Sequence, residues 1–558
     1  MDDVDAVQAQ IAQNMLTSGD WVTARLDGIA YLEKAPLKYW MIAICYLIFG
    51  VHDWAARIPV ALSAILLCWT TARFGAWAFG LRAGTYSGVV LATCVGLFLF
   101  TRILIPDVIL TLAITTAIWS LLRVLDDGER HPLVWALLMW TSMAVGLLLK
   151  GLIAGVLPIG AAFIYLTVTR QLWSWQTWKK LRPITGVSLL FAIAAPWHVL
   201  AILRNPPYFD FTMHSESGSY HGFFWFYFIN EHVLRFLNLR YPRDYNTVPR
   251  LYFWLFHLLW LFPWSVYFPA TVRLTYGHFD RASRTRLMAL CWAGFVLFFF
   301  TFSTTQEYYS MPCYPALALL LGSGLAVDVR MNRLGTRVLA VIISIAAIAT
   351  AVILWQVRGF PSPGDISRAL SQNPDLYTLS LGHMADLTMP AFAYLRVPLA
   401  VAGIAFIIGA VSAWTRVRPV TGLAVMMLLF FQAARSALIA FDPYLSSRPL
   451  AELLRRQPEG QLIVGGQYYT FSSVFFYLNR RALLLNGRVN NLEYGSYAPN
   501  APKGVFITDR ELVEIWSKSA RSYLLAEEPL VPRLERIAGS DRLHLVGSSG
   551  GKYLFTNR

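Results

Sequence analysis

Six short stretches of this chain carry side chains able to hold or move charge. "MDDVDAVQAQ" at 1–10 brings Asp2, Asp3 and Asp5 together, and "YLEKAPLKYW" at 31–40 sets Glu33 and Lys34 before a proline and an apolar run. "TRILIPDVILTL" at 101–112 places Arg102 and Asp107 at the head of another apolar run, and "LLLKGLIAG" ends one on Lys150. "NEHVLRFL" supplies Glu231, His232 and Arg235 downstream of His214 and His221, and "EYYSMPCY" adds Glu307, Tyr308 and Tyr309. Lysine and arginine at an apolar boundary suit a phosphate, arginine with two parallel hydrogen bonds. A carboxylate beside a proline-fixed turn suits a base or a metal ligand. Plainer roles are open to the same residues. Asp2, Asp3 and Asp107 can cap helices for about 1 kcal/mol, Lys34, Lys38 and Lys150 can anchor at an interface, and Glu33 can pair with a lysine. The His and Glu spacing matches no standard zinc motif.

These residues have to be positioned by a strongly apolar chain. Of 558 residues 56% are hydrophobic and only 14% charged, too little charge to cover a water-soluble body of this length. Aromatics make up 15%, as expected where belts mark two membrane interfaces. The net charge of +15 sits mostly in short connectors between apolar runs, which is the positive-inside pattern and not a nucleic-acid footprint. The five cysteines lie within or beside apolar segments and read as small hydrophobes.

The chain therefore reads as a polytopic α-helical membrane protein. A span needs about 20 apolar residues, and twelve candidates run at 58–78, 83–100, 108–125, 133–149, 152–169, 183–203, 251–270, 287–303, 311–328, 338–355, 397–414 and 419–440. Segment 39–50 is too short to cross and suits a re-entrant or interfacial helix. The basic connectors 170–182, 271–286 and 329–337 fall on one side, expected to be cytoplasmic. This puts 1–57, 101–107, 204–250, 304–310, 356–396 (with the Pro/Ser/Asp/Gly-rich loop 357–390) and everything after 440 on the other. An N-terminus outside with no leading helix predicts a missing first helix, and thirteen spans once it is restored.

Residues 4–17 place Val4, Val7, Ile11 and Met15 at helical spacing, predicting an amphipathic helix on the membrane surface. After 440 the pattern changes: six β-like runs alternate with helix-like stretches at 509–518 and 528–538, predicting a small soluble α/β domain. The expected division is 1–57 (outer-face catalytic segment), 58–440 (membrane domain) and 441–558 (periplasmic α/β domain). The ionisable groups gather on the outer face while span centres are almost free of them. A transporter keeps such groups near mid-membrane, so an enzyme acting on a lipid headgroup fits better. A flippase and a non-catalytic envelope scaffold remain as alternatives.

The order "SGDWVTARLDGIAYLEKAPLKYW", "TRILIPDVILTL", "LLLKGLIAGVLP", "NEHVLRFL", "LFPW", "EYYSMPCYPALALLLG" resembles the bacterial aminoarabinose-transferase and protein-mannosyltransferase-like family, membrane glycosyltransferases of the GT-C fold. The likeness covers most of 2–330. It implies transfer of a hexose or pentose from a polyprenyl-phosphate carrier, such as undecaprenyl phosphate, to a lipid, glycan or protein acceptor on the periplasmic face of the inner membrane, lipid A among the candidates, with membrane lipids and no nucleic acid as partners. By motif it implies Asp107 and either Asp3 or Asp5 as catalytic carboxylates, and Lys34 and Arg235 as phosphate ligands. Arg102, Lys150, His232, Tyr308 and Tyr309 would support them. Glu33 matches an acid that holds a divalent metal (Zn, Mg or Mn) in some members; the position of its histidine partner is Asn230 here.

Overall fold

The computed structural model describes residues 1–243, 247–277, 279–303, 306–327, 330–371 and 380–558. Among these, eight helices are long and apolar enough to cross a membrane, or nine if one bent pair counts as a span. The chain is a multi-pass membrane protein.

The N-terminal segment comes first. Helix α1 (Asp3–Ser18) starts where the Asp2 side chain accepts the Asp5 N–H and ends at Gly19. A small antiparallel hairpin, β1 (Arg25–Leu26) and β2 (Ile29–Ala30), leads to α2 (Leu37–Phe49). The amphipathic expectation for α1 needs correction. Val4 is 69% exposed, while ten other residues of the helix are buried against α2 and the C-terminal domain. The helix is clasped between two bodies, not laid on a surface by one face.

The membrane region begins with α3 (Asp53–Phe79), α4 (Leu81–Ala92), α5 (Val95–Phe100), α6 (Asp107–Val124), α7 (Pro132–Lys150), α8 (Ile153–Val168), α9 (Trp175–Leu181) and α10 (Pro183–Arg204). After an outer loop come α11 (Gly222–Phe224), a π-helical stretch Trp225–Leu234, α12 (Arg250–Trp260), α13 (Phe268–Thr271), α14 (Arg281–Phe302), α15 (Tyr314–Ala326), α16 (Arg330–Gln356), α17 (Arg396–Thr415) and α18 (Pro419–Leu445). Several expected spans are not continuous. The run 83–100 breaks at Thr93, whose hydroxyl accepts the Trp264 indole N–H at 2.9 Å. The run 251–270 bends by 92° at Pro263, which lacks the N–H a helix needs there. The run 311–328 opens with 3₁₀ turns, and α8 has only 16 residues. Of the expected loop 357–390, the described residues form short 3₁₀ turns, and 372–379 lie outside the described residues.

The far end of α6 meets the basic connectors. Asp126 pairs with Arg281 at 2.8 Å and Asp127 with Lys180 at 2.6 Å. At the opposite end sits the C-terminal domain, a six-stranded sheet in the order β5-β4-β3-β6-β8-β7. Its strands are β3 (Gln461–Gly465), β4 (Leu483–Leu485), β5 (Phe506–Ile507), β6 (Ser522–Glu527), β7 (His544–Ser549) and β8 (Lys552–Thr556), with β3 to β6 parallel and β7 and β8 antiparallel. Helices α19 (Arg448–Arg455), α20 (Ser472–Leu478), α21 (Asn490–Ser496), α22 (Asp509–Trp516) and α23 (Val531–Ala538) complete it. The all-apolar run "LIV" of β3 is buried throughout, as parallel strands covered on both faces require.

Candidate active site

A cavity of about 110 Å³ opens where α6, the α7–α8 turn, the π-helical stretch, the end of α14 and segment 33–35 converge. Glu33, Lys34, Asp107, Lys150, Glu231, His232, Arg235 and Tyr309 line its polar side, and Leu110, Ile153, Leu157, Phe236, Phe299 and Phe300 its apolar side.

Each polar residue is held by its element. Asp107 is the first residue of α6, following Pro106, and accepts from Lys150 Nζ at 2.5 Å. Lys150 ends α7 and its ammonium lies 4.7 Å from the Tyr309 ring centre and 5.4 Å from that of Tyr308. The next residue, Gly151, has φ +70°, and a Cβ there would fall 2.3 Å from His232 Nε2; only glycine lets this turn close. His232 Nε2 accepts the Leu152 N–H at 3.1 Å, and Nδ1 lies 2.5 Å from the Tyr227 carbonyl oxygen. One ring nitrogen accepting and the other donating defines a neutral imidazole, and burial pushes its pKa down. His232 therefore ties the α7–α8 turn to the π-helical stretch.

Around Glu33 the charges interlock. Its carboxylate pairs with Lys34, accepts from Tyr31 Oη and Asn491 Nδ2 at 2.5 Å each, and lies 3.6 Å from Arg235. Arg235 donates to Glu231 at 2.6 Å, and Arg240 bonds both Glu231 and Asn491. Burial would raise Glu33, but the charges of Lys34, Arg240 and Arg235 outweigh it and hold the carboxyl well below its usual range. Burial likewise opposes the charge on Lys34, yet the Glu33 carboxylate keeps the amine above its ordinary pKa. Three cations (Lys34, Lys150 and Arg235) and three carboxylates (Glu33, Asp107 and Glu231) line the cavity, and Arg240 is a fourth cation buried behind Glu231.

The donor set around Glu33 does not fit a divalent metal. Its neighbours are cations and hydrogen-bond donors, and the Asn230 amide is engaged with the Tyr241 backbone. Among the described residues no group of three His, Cys, Asp or Glu is placed to hold a metal ion.

Other expected residues lie outside the cavity. Asp3 is saturated by the C-terminal domain: Lys552 Nζ donates to it at 2.6 Å, Ser447 Oγ at 2.9 Å, and the Ser473 N–H and hydroxyl at 2.8 and 2.7 Å. Asp5 pairs with Arg57 at 2.5 Å and accepts the Leu104 N–H at 2.6 Å. Burial and the neighbouring Asp2 raise its carboxyl to about 6 against the opposing pull of Arg57. Arg102 stacks over Phe98 at 4.4 Å, and Tyr308 packs beside the site without lining it. His221 pairs with Asp210 at 2.7 Å, and Glu307 accepts from the Ser380 N–H at 3.1 Å. Lys38 is not an interfacial anchor. It is 2% exposed and donates to Gln8 and to the Leu104 carbonyl.

Three participants escaped the sequence reading. Arg240 lies five residues past Arg235, with no local signal to set it apart, and is fully buried on Glu231. Asn491 sits in the C-terminal domain, 458 residues from the Glu33 it bonds. Tyr227, whose carbonyl holds His232, was one aromatic among many.

A bundle of apolar helices with a charge-lined cavity at one end, beside a sheet domain, defines a multi-pass membrane protein. Residues 33–199 match the dolichyl-phosphate-mannose-protein mannosyltransferase family. The undecaprenyl phosphate-α-4-amino-4-deoxy-L-arabinose arabinosyl transferase of Aeromonas salmonicida is 28% identical over 57% of this chain and 55% of its own, and that of Pseudomonas aeruginosa 29% over 58% and 55%. The chain thus spans about half the length of these curated relatives; a Pseudomonas fluorescens relative of the same description matches 88% of this chain and 79% of its own at 24% identity. The crystal structure of ArnT from Cupriavidus metallidurans bound to undecaprenyl phosphate superposes with a TM-score of 0.77 over 99% of this chain and 93% of that one, at 22% identity. The chain therefore shares the fold of the ArnT crystal structures and is similar in sequence to the aminoarabinose transferases.

Proposed function

We propose that this chain is an inverting glycosyltransferase that moves a pentose or hexose from a polyprenyl-phosphate carrier to an acceptor on the periplasmic face of the bacterial inner membrane. One observation carries the proposal: the cavity sets Lys34, Lys150 and Arg235 over a floor of leucine, isoleucine and phenylalanine. That amphipathic shape suits a phosphate at the head of an isoprenoid tail, and the descriptions of the arabinosyl transferases support it.

The chemistry follows from the side chains. An acceptor hydroxyl attacks the anomeric carbon, the carbon–oxygen bond to the phosphate breaks, and the polyprenyl phosphate leaves with the electron pair. Lys34 and Arg235 stabilise the charge gathering on its oxygens, a contribution largest in a site shielded from water. Asp107 faces the cavity and takes the acceptor proton, with Lys150 fixing its orientation; direct attack inverts the anomeric configuration. Asp5 works through the connector before Asp107, whose Leu104 N–H it accepts. Segment 1–57 shapes the mouth, 58–440 holds the tail, and 441–558 closes the outer side through Asn491.

Release of undecaprenyl phosphate from an undecaprenyl-phosphate-linked aminoarabinose, measured in vesicles containing envelope lipid, tests the reading. Asp107→Asn should slow it about 100- to 10,000-fold, the usual worth of a positioned base, with donor still bound. Unchanged release in the variant, or movement of intact donor across the bilayer, would contradict it.

A further inference from the structure

Three arginines gather outside the cavity, where α3, α5 and α18 meet. Phe98 and Phe431 stack with ring centres 4.2 Å apart, and the Arg102 guanidinium lies 4.4 Å above Phe98. Arg435 is four residues after Phe431, so it rises from the same face of α18 one turn on. Arg57 donates to the Arg102 carbonyl oxygen at 2.6 Å and is itself paired with Asp5. Arg102 and Arg435 are both exposed, and among the described residues neither has a carboxylate within ion-pair distance. Partial desolvation of its guanidinium against the protein, and then the like charges of Arg57 and Arg435, push Arg102 down although the residue as a whole is exposed.

The place is a membrane boundary. Just past Arg435, Ala437, Ala440 and Phe441 pack against the outer-side cluster of Ile366, Ala391 and Leu395. On the other flank Leu428 is exposed, as is Trp54 near the start of α3. Cations on a spanning helix normally find a partner or mark a binding site. Arg102 and Arg435 both lie beside the stacked Phe98–Phe431 pair, one just past α5 and one on α18, and guanidinium donors suit a phosphate.

We infer that Arg102 and Arg435, backed by Arg57, bind the phosphate of an anionic lipid headgroup at the outer interface, separately from the Lys34–Arg235 cavity. The lipid is either an anionic phospholipid of the surrounding leaflet or a phosphorylated glycolipid on its way to the reaction. Through Arg57 the bound phosphate meets Asp5, which grips the connector carrying Asp107.

Native mass spectrometry of the full chain with added phosphatidylglycerol, phosphatidylcholine, and an acylated glucosamine phosphate beside its phosphate-free counterpart tests this. The wild type should retain one phosphatidylglycerol against phosphatidylcholine, and Arg102→Gln/Arg435→Gln should reduce that at least tenfold while undecaprenyl phosphate binding is unchanged. A tenfold preference for the glycolipid phosphate assigns the site to the glycolipid, and parity assigns it to leaflet phospholipid; either supports the site. Equal phosphatidylglycerol retention in variant and wild type overturns it, and so does joint loss of undecaprenyl phosphate, because the effect would then be general.

Discussion

Asp5 shows how burial changes what a carboxylate does. With its pKa raised to about 6 from an ordinary 3.8, the folded chain holds that proton through a pH window in which the unfolded chain has lost it. Its stability contribution is complete below about pH 4 and is lost as pH rises through about 6, a span worth about 3 kcal/mol. Asp27 is raised to about 6 as well, so the useful quantity is a difference. Melting temperatures measured from pH 4 to 7 should fall more steeply in the wild type than in Asp5→Asn; parallel curves would contradict the assignment. The neighbouring Asp3 was legible as an important acid but not as a domain anchor, because Lys552, Ser447 and Ser473 all lie more than 440 residues away.

Among the elements, the α7–α8 turn bears most directly on the site. It brings Lys150 to Asp107 and leaves Gly151 against His232. Gly151→Ala adds a Cβ at positive φ into the imidazole, a strain of roughly 1–3 kcal/mol that can be relieved only by moving Lys150 or His232. The variant should melt earlier and release donor phosphate at least tenfold more slowly, checked by thermal shift and by the release assay; a silent variant would mean that the turn tolerates displacement. The Lys-Gly pair was readable as a tight turn between two apolar runs, since both residue types are visible locally. The breaks at Thr93 and Pro263 were hidden inside unbroken apolar composition, because hydropathy averages over a kink. The six strands after residue 460 were legible from short β-like runs flanked by glycine and asparagine, whose chemistry is local.

At the scale of the whole molecule the C-terminal domain braces the residues behind the cavity. Asn491 bonds Glu33, Gly495 packs so closely that a Cβ would lie 2.0 Å from the Ala30 carbonyl oxygen, and Lys552 is buried on Asp3. Breaking a buried pair by removing one partner costs about 3–5 kcal/mol. Lys552→Met should therefore loosen the domain, making the segment after α18 cleavable by trypsin and slowing transfer; trypsin resistance equal to the wild type would sink that view. None of this docking could be read locally, since it depends on residues brought together across the whole chain. By contrast Glu33, Lys34, Asp107, Lys150, His232 and Arg235 were each visible as ionisable groups beside an apolar run. We propose that these residues surround a polyprenyl phosphate. Native mass spectrometry of the detergent-purified chain beside Lys34→Ala tests it most directly. A retained undecaprenyl phosphate or its sugar-linked form, lost in the variant, is the predicted result; ordinary phospholipids alone, identical in both proteins, would contradict it.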